Sequence, residues 1–434
     1  MSRAEAGFLQ FSGSIRAADG PFPLTGAHGV TVSPDGRDVY VASFDDNAVV
    51  VLARNLASGR LSYTEAHVDD ESDALGIFRA VAVTVTPDGK DVYVASFFGD
   101  AIAGLRRDAV TGKLTYVGAQ FGGAAGTVGL TQLQGVAVSP DGSNVYVASY
   151  GDNAVSLLRR DASSGQLTFV EALIEGQGDV HGIFRASGVV VSPDGANVYV
   201  LGGGSNGIAT FARDAVSGRL TFVESSFDGV GGVSGLLNGV ALAVSDDAAD
   251  IYAVGDNGMA HFRRGLDTGR LTFAKNQTEG VLNSEGTSSP AGVVVSPDGQ
   301  HVFVAREGDD TLSVFTRHAT DGSLDFLESH TDGVGGVVGL AGATTVAVGP
   351  NNDSVYVASQ FGDAVATFAA VTSMCAGDCN GDGEVTVDEL VRAVSIALGE
   401  QASSGCVAAD TNADGSVTIE EIIAAVNKAL NGCG

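Results

Sequence analysis

Seven times along this chain a short apolar strand, a tight turn and a Val-Tyr-Val-Ala strand or close variant follow one another. The turns open at Ser33, Thr86, Ser139, Ser192, Ser245, Ser296 and Gly349. The intervals between them are 53, 53, 53, 53, 51 and 53 residues. A fixed period of this length restricts the chain to a repeat architecture, because one unit cannot bury its apolar faces alone. Function is then expected where the copies cease to be equivalent.

Each unit reads as four strands. Gly135-Val136-Ala137-Val138 runs into Ser139-Pro140-Asp141-Gly142, where Pro fixes φ and Gly supplies the positive φ of a tight turn. Val145-Tyr146-Val147-Ala148 follows, then Ala154–Leu158 after a Gly-Asp-Asn turn, then Leu167-Thr168-Phe169-Val170. Repeated seven times, this predicts an all-β fold, a seven-bladed β-propeller. The last unit lacks a fourth strand, whereas Leu9-Gln10-Phe11 matches Leu167-Thr168-Phe169 in register. Residues near 8–15 are therefore expected to complete the blade near 344–371 and remove its open edge.

The Ser-Pro-Asp-Gly turns, Val-Tyr-Val-Ala strands and Arg-Asp-x-x-x-Gly-x-Leu-Thr-Phe segments resemble those of the lactonase-like seven-bladed propellers. These are the relatives of phosphogluconolactonase and carboxymuconate cyclase, with their Tyr-Val-rich surface-layer cousins. The resemblance covers roughly 8–371 and implies the fold. The shared residues are turn and core chemistry present in every blade, so no active-site motif carries over.

Hydrophobic residues make up 44% of the 434 positions, ample for a core, and the formal charge is −29. No basic footprint exists to neutralise phosphates, which excludes nucleic acid as an expected partner. No run reaches the 18 or more apolar residues of a membrane span. Cys375, Cys379, Cys406 and Cys433 all fall in the last 60 residues, without paired CxxC spacing. That clustering favours an oxidising compartment, so an extracellular or cell-surface protein is expected, its signal peptide absent from this sequence.

After Val371 the sequence changes character, and the boundary is set at 1–372 for the propeller and 373–434 for a second domain. Residues 378–389 and 410–421 each satisfy the twelve-residue calcium loop. Asp378, Asn380, Asp382 and Glu389 would supply side-chain oxygens, Glu384 a backbone carbonyl and Thr386 a water-mediated contact. Asp410, Asn412, Asp414, Ser416, Thr418 and Glu421 repeat those roles, which predicts two Ca²⁺ sites. Amphipathic helices are expected near Val387–Leu398 and Ile419–Leu430, with Leu390, Val391, Val394 and Leu398 at helical spacing. Four cysteines allow three pairings.

A calcium loop followed by one helix, duplicated, resembles the type I dockerin, a paired EF-hand-like module that plugs into cohesin receptors. This chain departs from that pattern with Glu389 and Glu421 at the twelfth position, where dockerins usually carry Asp. It also has Val387-Asp388 and Ile419-Glu420 where they often show small hydroxyl residues. Dockerin-like modules bring their ends together, so the resemblance favours pairing Cys375 with Cys433 and Cys379 with Cys406.

Within the ring, the residues five before each turn are His28, Val81, Gln134, Ser187, Val240, Ala291 and Thr344. Those two further back are Gly26, Arg79, Gln132, Arg185, Asn238, Ser289 and Gly342. His28, Arg79 and Arg185, with His181 on the loop before Arg185, could bind a carboxylate and move a proton. The reading favoured over this is that they are ordinary loop residues around a hydrated channel, since Arg79 and Arg185 lie in copied Gly-Ile-Phe-Arg-Ala segments. Asp46, Asp100, Asp152, Asp256, Asp309 and Asp363 fit turns that bond their own backbone better than a cation ring.

The leading expectation is a secreted or surface binding and scaffolding protein. Its propeller would recognise a protein or surface partner, and its calcium-stapled tail would attach or self-associate. The alternatives are a lactonase-type hydrolase or cyclase working at the channel mouth, and a subunit of a calcium-dependent extracellular polymer.

Overall fold

The computed structural model describes residues 8–70, 74–124, 126–282, 289–370, 376–379, 385–401, 406–410 and 416–431. Its strands form seven four-stranded sheets. The first blade runs from the inside outward as Ala27–Val32, Asp38–Ser43, Ala48–Arg54 and Leu61–Val68. Five blades repeat that order from inner strands Ala80–Val85, Leu133–Val138, Ala186–Val191, Ala241–Val244 and Pro290–Val295. The seventh is Ala343–Val348, Ser354–Ser359 and Ala364–Ala370, with Leu9–Arg16 as its outer strand. Phe11 meets Phe368 edge-on at 5.6 Å, as Phe222 meets Phe211 at 5.8 Å within blade four. The start of the chain thus closes the last blade in the register its sequence predicts.

Burial explains the strand grammar. The second strands are sandwiched between neighbouring blades and are buried at every position in six of the seven. Such strands read as continuous apolar runs and not as alternation. The outer strands mix half-buried and exposed residues, as Leu167–Ile174 does. These strands extend four residues beyond the predicted Val170, after a bulge opposite Leu157 and Leu158. The turns are built as expected: Ser33 Oγ donates to Asp35 at 2.6 Å and accepts the Asp38 N–H at 3.0 Å. Gly36 sits at φ 70°, and Ala248 and Asn352 take the same left-handed conformation in the two units that lack this glycine.

A girdle of arginines ties six of the seven blades to the one before. Arg54, Arg107, Arg160, Arg213, Arg264 and Arg317 end successive third strands and are buried. Arg107 donates to the Tyr40 hydroxyl at 2.9 Å, to Asp35 at 2.8 Å and to Asp38 in the preceding blade. Arg213 does the same with Tyr146, Asp141 and Asn144. At the seventh position the guanidinium is replaced by Ala370, and its would-be partner in blade six is Phe303 in place of Tyr.

The described residues divide into two compact units. One is Gly13–Arg54 with Arg60–Thr367; the other takes the start of the chain, Asn55–Gly59 and the residues from Phe368 on. The second unit holds two α-helices, α1 (Val387–Ala397) and α2 (Ile419–Asn431), and a disulfide joining Cys379 to Cys406. Cys375 and Cys433 lie outside the described residues. The buried face of α1 is Glu389, Ala393 and Ile396. Of the expected stripe, Leu390 is half-buried and Val391, Val394 and Leu398 are exposed instead, and in α2 Ile419, Ile423 and Leu430 are likewise exposed. The periodicity is helical as predicted, but in α1 the buried positions, Ala393 among them, fall on the opposite face. Among the described residues no helix is long and apolar enough to cross a membrane.

Candidate functional site

The seven inner strands surround an axial cavity of about 320 Å³. Every residue five before a turn lines it: His28, Val81, Gln134, Ser187, Val240, Ala291 and Thr344. The next residues inward are small (Gly29, Ala82, Gly135, Gly188, Ala241), which lets the strands converge. At Gly29 a Cβ would lie 2.7 Å from the Val81 carbonyl, and at Gly292 one would lie 2.6 Å from that of Thr344. Closure of the ring is local here too, since Thr344 Oγ1 donates to the His28 carbonyl at 2.7 Å.

Two ionisable side chains break the equivalence of this lining, His28 and Glu307. His28 Nδ1 lies 2.9 Å from the Val81 carbonyl. A carbonyl only accepts, so Nδ1 carries the hydrogen and Nε2 is the nitrogen left for chemistry. Burial holds its pKa below the ordinary histidine value, the Val81 bond opposing only in part. The ring is therefore neutral at pH 7 with a basic Nε2. Burial pushes the Glu307 carboxyl in the opposite sense, above the usual range. Beside it Arg306 occupies the position held by Ser or Gly in the other blades and pairs with Asp309 at 3.0 Å. Arg306 Nε and Asp309 Oδ1 are buried without a hydrogen bond, and burial moves the arginine pKa down and the aspartate pKa up.

Of the other residues singled out in the sequence, Arg79 and Arg185 do not line the cavity. Both take left-handed backbone, and their N–H groups are bound by Asn47 at 3.0 Å and Asn153 at 2.8 Å from the preceding blade. The Arg79 guanidinium pairs with Asp45 and lies 4.8 Å over the Phe44 ring. That of Arg185 lies 5.5 Å over Tyr150. His181 is exposed beside Glu175 and joins neither group. The turn acids behave as backbone caps: Asp46 accepts from Thr25, Asp100 from Gln132, Asp152 from Thr131 and Asp363 from Gly26.

Glu307 was legible in one column of the repeat. The residues just after the second strands are Phe44, Phe97, Tyr150, Gly203, Asp256, Glu307 and Gln360, a series that no core role explains. The girdle arginines were legible as a spacing of 53, 53, 53, 51 and 53 residues that a turn does not require.

In the second unit the twelfth residue of both calcium-loop sequences is buried. Glu389 accepts the Thr386 N–H and hydroxyl, each at 2.8 Å, and Glu421 accepts those of Thr418 at 2.8 and 2.9 Å. Asp378 is buried, while Asp410 is half-buried and Ser416 exposed. Asn380, Asp382, Glu384, Asn412 and Asp414 lie outside the described residues.

The family model described as lactonase, seven-bladed β-propeller, matches residues 22–184, 136–280 and 256–372. Among solved structures the ring resembles a periplasmic gluconolactonase from Pseudomonas aeruginosa, with 21% identity over 70% of this chain and 85% of that one and a TM-score of 0.56. It resembles equally a candidate 6-phosphogluconolactonase from Bacteroides uniformis, with 19% identity, coverage of 70% and 84%, and a TM-score of 0.56. Hydrazine synthase from Kuenenia stuttgartiensis aligns at 16% identity over 80% and 96%, with a TM-score of 0.58. No curated protein matches the chain. These matches correct the expectation of a binding and scaffolding protein: the ring is of lactonase type, and the enzyme alternative is the one they favour.

Proposed function

Because the chain belongs to the seven-bladed β-propeller lactonase family, we propose that it hydrolyses a lactone in the axial cavity, with His28 as general base. The observation that carries this reading is a neutral, oriented imidazole in a small cavity whose other walls are mostly small or aliphatic. In this mechanism Nε2 of His28 takes a proton from water as the oxygen attacks the lactone carbonyl. The resulting imidazolium returns that proton to the ring oxygen as the acyl–oxygen bond breaks, leaving a hydroxy acid. The test is proton release in a pH-stat with a panel of sugar, alkyl and aryl lactones. Turnover above the spontaneous rate supports the reading, and no acceleration on any lactone overturns it.

For residues 373–434 we propose a calcium-stabilised module of two EF-hand-type loops, resembling a dockerin, on an extracellular or cell-surface protein. The residues that would hold Ca²⁺ are Asp378, Asn380, Asp382, Glu384, Thr386 and Glu389, then Asp410, Asn412, Asp414, Ser416, Thr418 and Glu421. An all-oxygen donor set fits a hard cation. The equivalent placement of Glu389 and Glu421, and the Cys379–Cys406 disulfide, support the reading. Chelation is expected to lower the helical circular dichroism of the tail and expose it to protease, leaving the ring intact. Unchanged digestion in chelator would refute the calcium sites.

A further inference from the structure

The residues that follow the second strands, the cavity-lining Glu307 among them, divide into two chemically different halves. In blades one to three the residue after the second strand is Phe44, Phe97 or Tyr150, and in blades four to seven it is Gly203, Asp256, Glu307 or Gln360. On the aromatic side the rings form one continuous arc. His28 meets Phe44 at 6.3 Å, Phe44 meets Phe98 at 6.3 Å, Phe98 meets Phe97 at 4.8 Å and Phe97 meets Tyr150 at 6.3 Å. The arc therefore begins at the residue assigned as base and runs across blades one to three, with Phe98 56% exposed.

Both ends of this arc are pinned. The Arg79 guanidinium covers the face of Phe44 and is itself held by Asp45. The Arg185 guanidinium covers Tyr150 and lies 5.6 Å from the Phe184 ring. Cation–π contacts of this kind fix ring orientation, so the remaining faces are presented without a further ordering cost on binding. The interplanar angles of 34°, 56°, 89° and 53° leave ring edges and faces splayed, an arrangement that receives another ring edge-on or offset.

Charge decides against the obvious alternative occupant. A phosphorylated lactone needs convergent cations, but Arg79 is committed to Asp45 and Arg306 to Asp309, which leaves Arg185, stacked on Tyr150 and Phe184, as a single cation with no second one beside it among the described residues. The facing half carries Asp256 and Glu307, on a chain of formal charge −29. A cavity of about 320 Å³ lies at the low end for small-molecule sites and suits one or two fused rings.

We propose that the aromatic arc of Phe44, Phe98, Phe97 and Tyr150 selects uncharged lactones bearing an aryl ring, and disfavours phosphorylated sugar lactones. The aryl group packs on the arc while the lactone carbonyl reaches His28. The inference rests on the lactonase reading, and its test separates the two. Using the full chain, kcat/KM is compared for 3,4-dihydrocoumarin, glucono-δ-lactone and 6-phosphogluconolactone, in the native protein and in Phe98→Ala, whose exposed ring leaves folding intact. The expected result is dihydrocoumarin first and the phosphorylated lactone last, with the aryl-to-sugar preference falling about tenfold in Phe98→Ala, chiefly through KM. Preference for the phosphorylated lactone, or a ratio unmoved by the substitution, overturns the proposal. Binding of the dihydrocoumarin lactam, in which an amide replaces the ester, is measured in parallel by calorimetry. If no lactone is opened but the lactam binds and Phe98→Ala weakens it about tenfold, the lactonase reading fails and the aryl site stands. If sugar lactones are opened and the lactam does not bind, the aryl site fails and the lactonase reading stands.

Discussion

His28→Asn is expected to lower kcat for lactone opening by about 10²–10⁴-fold, the usual worth of a positioned general base. The asparagine amide can still donate to the Val81 carbonyl that now orients the imidazole, so the thermal midpoint should hardly move. What disappears is the Nε2 lone pair. The pH profile gives an independent check with a definite sign. The active form is the neutral imidazole, and burial depresses its pKa from the ordinary value of about 6.5. More than half of the full activity should then remain at that pH, with the midpoint of the acid limb below it. An acid limb centred above the ordinary histidine range would mean that another group takes the proton. Because aqueous lactones open spontaneously as pH rises, the profile is read after subtraction of the enzyme-free rate.

How much of this was legible beforehand follows from what the repeat encodes. A 53-residue period with a turn, a buried run and an aromatic outer strand specifies a blade, and an orphan Leu9-Gln10-Phe11 specifies how the ring closes. Counting from the turns identifies His28, Val81, Gln134, Ser187, Val240, Ala291 and Thr344 as equivalent positions, and the structure has all seven line one cavity, because equivalent residues in a ring face the same axis. Arg79 and Arg185 sit only two residues away, yet their left-handed backbone turns them onto Phe44 and Tyr150. That kind of redirection depends on φ at one residue and on a neighbouring blade's Asn, which no pattern within the unit reveals. Glu307 and the aromatic arc are visible only when the seven copies are compared column by column. A site in a repeat protein is a departure from the consensus, so the consensus that identifies the fold conceals the site.

The girdle carries the second large expected effect. Arg107→Met should destabilise the ring by about 3–5 kcal/mol, the usual cost of removing one partner from a buried ion pair. Asp38, 4% exposed, would keep its burial and lose the guanidinium that bonds it, and Tyr40 would lose a donor. Burial already holds the Asp38 pKa above the ordinary aspartate value, and Arg107 opposes that shift. Without the arginine the folded-state pKa rises further, so the deficit is largest above that pKa and shrinks as pH falls through it. Denaturant midpoints at neutral and acid pH measure both quantities. Adding Asp38→Asn to Arg107→Met should recover much of the loss, since no unpaired charge then remains buried. The chain contains the natural counterpart of that double replacement: where the seventh girdle arginine would stand it has Ala370, and blade six has His301 and Phe303 in place of the usual Asp or Asn and Tyr. Loss of cation, acid and hydroxyl together leaves no orphaned charge, whereas loss of the cation alone would. An Arg107→Met protein as stable as the parent at pH 7 would mean that the girdle fixes blade register without holding the blades together.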